Sequence, residues 1–253
     1  MTLTLRPHQT KAVKAMLRNT KGQIIIPTGG GKTMCMIDDA MNEFSRTVLS
    51  KTIVVVAPRI LLANQLSAEF LYHNLDGAAE PNATVNVMHV HSGETHHFST
   101  TKVDEIRKFN YDTACDQKHL LIFTTYHSLH KIQESNIVVD TVYFDEAHNS
   151  TAKNFFPSVE YYSKDADRCY FFTATPKHSL TINKHGMNDT YVYGKVIMNV
   201  PAPKLVDEGY ILPPKMLVKT INVAEEQVNE CEHIMDTIDE ISVKKVLICA
   251  RST

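Results

Sequence analysis

Ile24-Ile25-Ile26-Pro27-Thr28-Gly29-Gly30-Gly31-Lys32-Thr33, running into Met34-Cys35-Met36-Ile37, is the stretch on which the fold turns. A short apolar β run, a glycine turn and a helix-forming segment in that order are the context a phosphate-binding loop requires. In such a loop Thr28, Gly29, Gly30 and Gly31 let backbone N–H groups close on phosphate oxygens, while the helix N-terminus adds its positive partial charge. The Lys32 ammonium would reach the outer phosphates, and the Thr33 hydroxyl would ligate Mg²⁺. A plain glycine turn is the competing reading. A strict G-x-x-x-x-G-K-T pattern asks for glycine at position 26, where this chain has Ile26.

On either side of this loop short β-rich runs recur: Ile24 to Ile26, Thr52 to Ala57, Val85 to Val90, Leu120 to Thr124, Thr141 to Phe144 and Tyr170 to Thr173. Segments of helical period lie between many of them. Gln9, Ala12, Val13, Met16 and Leu17 follow Pro7 at helical spacing; Ile37, Ala40, Met41 and Phe44 share one helix face, and Leu62, Leu66 and Phe70 another. The alternation predicts an α/β fold, a mostly parallel sheet with helices on both faces.

After about Val200 the pattern changes, and the proline-containing stretch Val200 to Pro214 reads as a passage into a second domain. A strand-like Lys215 to Val223 follows, then an acidic helix with Val228, Cys231, Met235 and Ile238 on its apolar side, then an apolar strand, Val246 to Ala250. These predict a first domain over residues 1–212 and the opening elements of a second over 213–253.

Among 253 residues, 43% are hydrophobic and 21% charged, enough to bury a core. Lys plus Arg number 26 against 28 for Asp plus Glu, a net charge of −2, which excludes a protein that binds DNA by bulk positive charge. Any nucleic-acid contact must be local. The five cysteines form no C-x-x-C pair, so neither a zinc ribbon nor a disulfide framework is implied. No signal core or membrane-spanning run is evident, and a soluble cytoplasmic protein without membrane partners is expected.

A second chemical cluster, Asp145-Glu146-Ala147-His148, follows the apolar strand Val142-Tyr143-Phe144. Carboxylates at the C-terminal end of a parallel strand face the ligand crevice. There Asp145 would hold Mg²⁺ and Glu146 would orient and deprotonate an attacking water, with a helix cap as the alternative use of the pair.

The ordered set of motifs resembles that of the superfamily two DEAH-type helicases, nearest the branch of the type III restriction-enzyme helicase subunits. Leu5-Arg6-Pro7-His8-Gln9 resembles the N-terminal adenine-recognition segment, with Gln9 in the base-reading place beside Arg6. Ala57-Pro58-Arg59-Ile60-Leu61-Leu62 with Gln65 resembles motif Ia, and Thr124-Thr125-Tyr126-His127-Ser128-Leu129 the later nucleic-acid motif of the same lobe. Thr173-Ala174-Thr175-Pro176 resembles motif III, which links the two sites.

The resemblance implies a RecA-like P-loop lobe followed by an incomplete second RecA-like lobe, with ATP and Mg²⁺ as cofactors and ATP hydrolysis as the reaction. It assigns catalysis to Lys32, Asp145 and Glu146, nucleic-acid contact to Pro58, Arg59, Thr124 and Thr125, and coupling to His148, Thr173 and Thr175. It favours DNA as partner, either unwound or tracked as duplex by a restriction or remodelling motor. A nucleotide-binding module without turnover is the rival of another class. Motifs V and VI, with the arginine finger, have no match among the 253 residues, and Arg251 is not assigned that part. Pro58-Arg59 also suits a plain strand-to-helix turn, and Thr124-Thr125 a helix cap. His89, His91, His96 and His97 suggest zinc less readily than an incidental pair on a strand followed by a polar loop.

Overall fold

The computed structural model describes residues 4–47, 49–75, 85–181, 183–213 and 230–241. Eight strands form one sheet: β1 (Lys21–Ile25), β2 (Thr52–Ala57), β3 (Val85–Val90), β4 (Phe98–Ser99), β5 (His119–Thr125), β6 (Thr141–Phe144), β7 (Arg168–Thr173) and β8 (Val196–Asn199). Their spatial order is β4-β3-β5-β2-β6-β7-β1-β8, and every neighbouring pair is parallel. The helices are α1 (Pro7–Met16), α2 (Lys32–Ser45), α3 (Ile60–Leu75), α4 (Val103–Cys115), α5 (Leu129–Glu134), α6 (Phe156–Asp165), α7 (Thr190–Tyr193), α8 (Ala202–Asp207) and α9 (Glu230–Ile241).

Side chains of a strand alternate between faces, so a strand buried on both sides must be apolar throughout. In β2, Ile53, Val55 and Ala57 pack with Met16 of α1, Ile37 and Phe44 of α2, and Leu66 and Phe70 of α3. Val54 and Val56 turn the other way, toward Ile106 of α4, Leu129 and Ile132 of α5 and Val159 of α6. Both layers thus close around one sheet, as the sequence pattern predicts.

Helix α2, which begins at Lys32, is also held by charge. Asp39 is fully buried and accepts from Arg168 Nη2 and the Tyr143 hydroxyl, each at 2.7 Å. Arg168 Nη1 reaches Glu43 at 2.7 Å, which also accepts from the Thr141 hydroxyl. Every charge in this buried group has a geometrically good partner, the condition under which burial of ions is tolerated. It locks α2 against β6 and β7 and so fixes where the helix points its first turn.

By its contacts the chain divides into two units, residues 1–213 and 214–253. The proline-containing stretch that reads as the passage toward a second domain packs on the first unit as far as Ile211. Leu205 of α8 is fully buried in the core containing α1 and α2, and Tyr210 and Ile211 pack against it. An apolar residue at each of these positions makes this a covering segment rather than a linker. Of the second unit, only α9 is described. It falls on the expected acidic helix, but Met235, expected on its apolar side, is 56% exposed. The expected strands at 215–223 and 246–250 lie outside the described residues, as does Arg251.

His89 and His91 are buried, with His89 Nδ1 and His91 Nε2 3.0 Å apart and His89 Nε2 3.0 Å from the Ser67 hydroxyl. Each imidazole spends its nitrogens on protein partners. Among the described residues no group of three or more His, Cys, Asp or Glu is placed to hold a metal ion. Burial, then the neighbouring His91 and His97, push the His89 pKa from 6.5 down to about 3. The unfolded imidazole therefore takes up a proton that the folded one refuses, and stability declines as pH falls from 6.5 toward 3. Melting temperature followed against pH is expected to show this acid limb in the parent and a flatter one in His89→Gln. An unchanged limb in the variant would place its origin elsewhere.

Candidate functional site

The C-terminal ends of β6, β7 and β1 stand side by side, and the phosphate-loop and acidic motifs leave from the outer two of them. Residues Ile26 to Gly31 turn between β1 and α2, and the turn is closed by the Gly30 N–H donating to the Pro27 carbonyl at 2.9 Å. Gly31 is the N-cap of α2 with φ of +80°, a left-handed conformation costly for other residues. A β-carbon there would run into the Gln9 amide, so glycine also permits the close approach of α1.

Gln9 is buried, its oxygen accepting from the Arg6 N–H at 2.8 Å and its amide donating to the Gly30 carbonyl at 3.1 Å. His8 Nε2 lies 2.8 Å from that same carbonyl. The Arg6 guanidinium stacks over the Tyr210 ring at 4.9 Å and its Nη1 lies 3.4 Å from the Gly29 carbonyl. Arg6 and Gln9 thus meet the phosphate loop. Tyr210 belongs to this cluster too, and nothing in its proline- and glycine-flanked context marks it in the sequence.

Asp145 follows β6, its N–H donating to the Val56 carbonyl at 2.9 Å and its own carbonyl accepting from the Tyr126 hydroxyl at 2.9 Å. Glu146 adopts φ 44° and ψ 52°, a left-handed conformation held by the surrounding structure. Its Oε1 lies 3.3 Å from Lys32 Nζ and its Oε2 3.5 Å from His148 Nδ1. His148 Nδ1 also sits 3.1 Å from the Thr173 hydroxyl, which accepts from the Thr175 N–H at 3.1 Å. One connected polar chain therefore runs from Lys32 through Glu146 and His148 to Thr173 and Thr175.

Burial, followed by the nearby Glu146 charge, raises the Asp145 pKa from 3.8 to about 6, against the opposing pull of Lys32. Burial and Glu146 together outweigh the one cation, Lys32, that favours the charged form of this carboxylate. A hard divalent cation fits that need, with the half-buried Thr33 hydroxyl available as a second oxygen donor. Thr28 is exposed at the turn.

The residues assigned to nucleic acid divide. Pro58 and Arg59 lie between β2 and α3, where Arg59 is exposed and its carbonyl accepts from Ala63. Thr124 is different: it is fully buried and its hydroxyl donates to the Val90 carbonyl at 2.8 Å. The hydrogen of the Thr124 hydroxyl is thus committed to β3. Thr125 is also nearly enclosed, with Ser128 beside it at the start of α5.

Residues 2–178 match ResIII, the family described as type III restriction enzyme, res subunit. The chain belongs to this family. No curated protein matches the ResIII chain. Its fold is similar to that of the ATP-dependent Type ISP restriction-modification enzyme LlaBIII bound to DNA, with TM-score 0.67, 22% identity, and coverage of 81% of this chain and 15% of that one. A nuclease-deletion mutant of the Type ISP enzyme LlaGI, in complex with a DNA substrate mimic, gives TM-score 0.68 and 21% identity, over 95% of this chain and 23% of that one. The UvsW helicase from bacteriophage T4 gives 0.53 and 17%, over 76% and 58%. The ResIII chain thus spans a minor part of the two Type ISP chains. The fold is RecA-like, of the kind found in superfamily two helicases. Among the described residues no helix is long and apolar enough to cross a membrane.

Proposed function

We propose that this ResIII chain is the ATP-binding lobe of a nucleic-acid motor that couples Mg²⁺-dependent ATP hydrolysis to movement along DNA or its opening. The observation that carries the reading is the 3.3 Å pair between Lys32 and Glu146, which brings the phosphate-loop motif and the acidic motif into one cleft. In this reading Thr28, Gly29, Gly30 and Gly31 cradle phosphate through backbone N–H groups, and Gln9 and Arg6 receive the adenine end. Lys32 exchanges its carboxylate partner for the outer phosphates. That exchange releases Glu146 to accept a proton from water, with His148 holding its second oxygen. Thr33 and Asp145 would hold Mg²⁺, which when bound neutralises phosphate charge.

DNA is favoured over RNA because the family resemblance leans that way and two structures of similar fold are described with DNA. A second RecA-like lobe, in the same polypeptide or a separate one, would supply the other wall of the cleft. Strand-displacement and triplex-displacement assays would separate unwinding from duplex tracking.

The test of the nucleotide site is Lys32→Ala. A charged hydrogen bond contributes about 1.5–3 kcal/mol, so ATP affinity by isothermal titration is expected to fall roughly tenfold to a hundredfold. Equal affinity in variant and parent would overturn the phosphate-loop assignment.

A further inference from the structure

Immediately after the Thr173 to Pro176 segment, the chain forms a loop that none of the assignments above uses. Its ends are tied by the Met187 N–H donating to the Lys177 carbonyl at 2.7 Å. The Asn188 side chain grips Ser179 from both sides, accepting from its N–H at 2.8 Å and donating to its carbonyl at 2.9 Å. Met187 is fully buried beneath it. The His185 ring stacks flat on Phe156, with 3.4 Å between centroids.

This held loop borders a cavity of about 620 Å³ whose lining includes Lys153, Lys177, His178, Leu180, Lys184 and His185 and no carboxylate. The three lysines are exposed, and among the described residues none is in an ion pair. The chain carries a net charge of −2, so such a concentration of unpaired cations is a local departure from the whole. Its position is continuous with the segment assigned to nucleic acid. His127, two residues past Thr125, meets Phe155 edge-on at 4.6 Å, and the adjacent Phe156 carries His185. Leu180 is 99% exposed, an apolar side chain held in water among cations.

We propose that this loop, together with Lys153, is a further nucleic-acid subsite: the lysines take consecutive backbone phosphates, and Leu180 meets the face of a base or sugar. Unpaired lysines around a concave surface suit phosphodiesters without reading sequence, and an apolar tip beside them suits the unstacked surface of a nucleotide. The inference rests on the nucleic-acid motor reading and extends its track past motif III.

The experiment measures fluorescence anisotropy of labelled duplex and single-stranded DNA over a salt series with the 253-residue chain. Each duplex phosphate neutralised contributes about 0.9 to the slope of log affinity against log salt. Combined Lys153→Ala, Lys177→Ala and Lys184→Ala are expected to make that slope shallower by about two to three with ATP affinity unchanged, whereas arginine at the same positions preserves it. The sequence contains no tryptophan, so Leu180→Trp supplies a single reporter. Its emission is expected to be quenched as DNA binds. Parent binding with an unaltered slope in the alanine variant, or an unquenched indole while DNA is bound, overturns this subsite alone. Absence of any salt-dependent DNA binding by the parent overturns the motor reading beneath it.

Discussion

A polypeptide of residues 1–253 is expected to bind ATP and hydrolyse it scarcely at all, with or without DNA. In the proposed reading, the cleft would offer phosphate and metal ligands from one wall. In two-lobed motors the transition-state charge is met from both, and an arginine from across the cleft contributes roughly a thousandfold to a hundred-thousandfold in turnover. Joining or adding a second RecA-like lobe should therefore raise DNA-stimulated hydrolysis by three to five orders of magnitude, and replacing its motif VI arginine with alanine should cancel the gain. The measurement is steady-state phosphate release at several protein concentrations. Brisk, DNA-stimulated, Glu146-dependent turnover that is independent of protein concentration would show that this lobe needs no second wall.

In that active, two-lobed background, Glu146→Gln should keep ATP binding and lose turnover. The amide preserves the shape that sits 3.3 Å from Lys32 and 3.5 Å from His148, but cannot accept a proton from water. A positioned general base contributes about a hundredfold to ten-thousandfold, and the loss should appear in kcat rather than in nucleotide affinity. Turnover within about threefold of the parent would remove Glu146 from the chemistry. The left-handed backbone at position 146 also makes this a cleaner substitution than alanine, since glutamine resembles glutamate in its backbone needs.

The central strands are legible in the sequence because burial on both faces demands largely apolar runs, and β2 and β6 match the runs at Thr52 and Thr141 at both ends. Edges are not legible. β8 is four residues of partial exposure with a register shift against β1, and β4 is two residues, too short for any periodicity. β1 begins at Lys21 and ends at Ile25, whereas apolar character alone places it over Ile24 to Ile26. Gln23 is hidden within it with its amide nitrogen donating to the Met187 and Gly194 carbonyls, a long-range pairing that no local pattern reveals.

The same distinction runs through the site. Lys32, Asp145, Glu146 and His148 come together because each occupies a strand end or the first turn of a helix, and parallel topology puts those ends on one edge. Thr124 also lies near the end of a parallel strand, yet its hydroxyl turns inward to β3. Motif position alone does not say which way a side chain on a buried strand points. Tyr210 fails to stand out for the opposite reason: it reaches Arg6 only because α8 folds back.

That fold-back bears on how the first unit is cut for laboratory work. Leu205 comes within 3.0 Å of where a side chain on Gly30 would begin, and Ile211 within 3.4 Å of the equivalent point on Gly29. A fragment trimmed after β8, the last strand among the described residues, would keep every residue proposed for a chemical role and yet strip the roof from the phosphate loop. Expression boundaries for this lobe therefore belong beyond Ile211, and mutagenesis scans should treat Leu205 and Tyr210 as part of the proposed nucleotide site although they lie far from it in sequence.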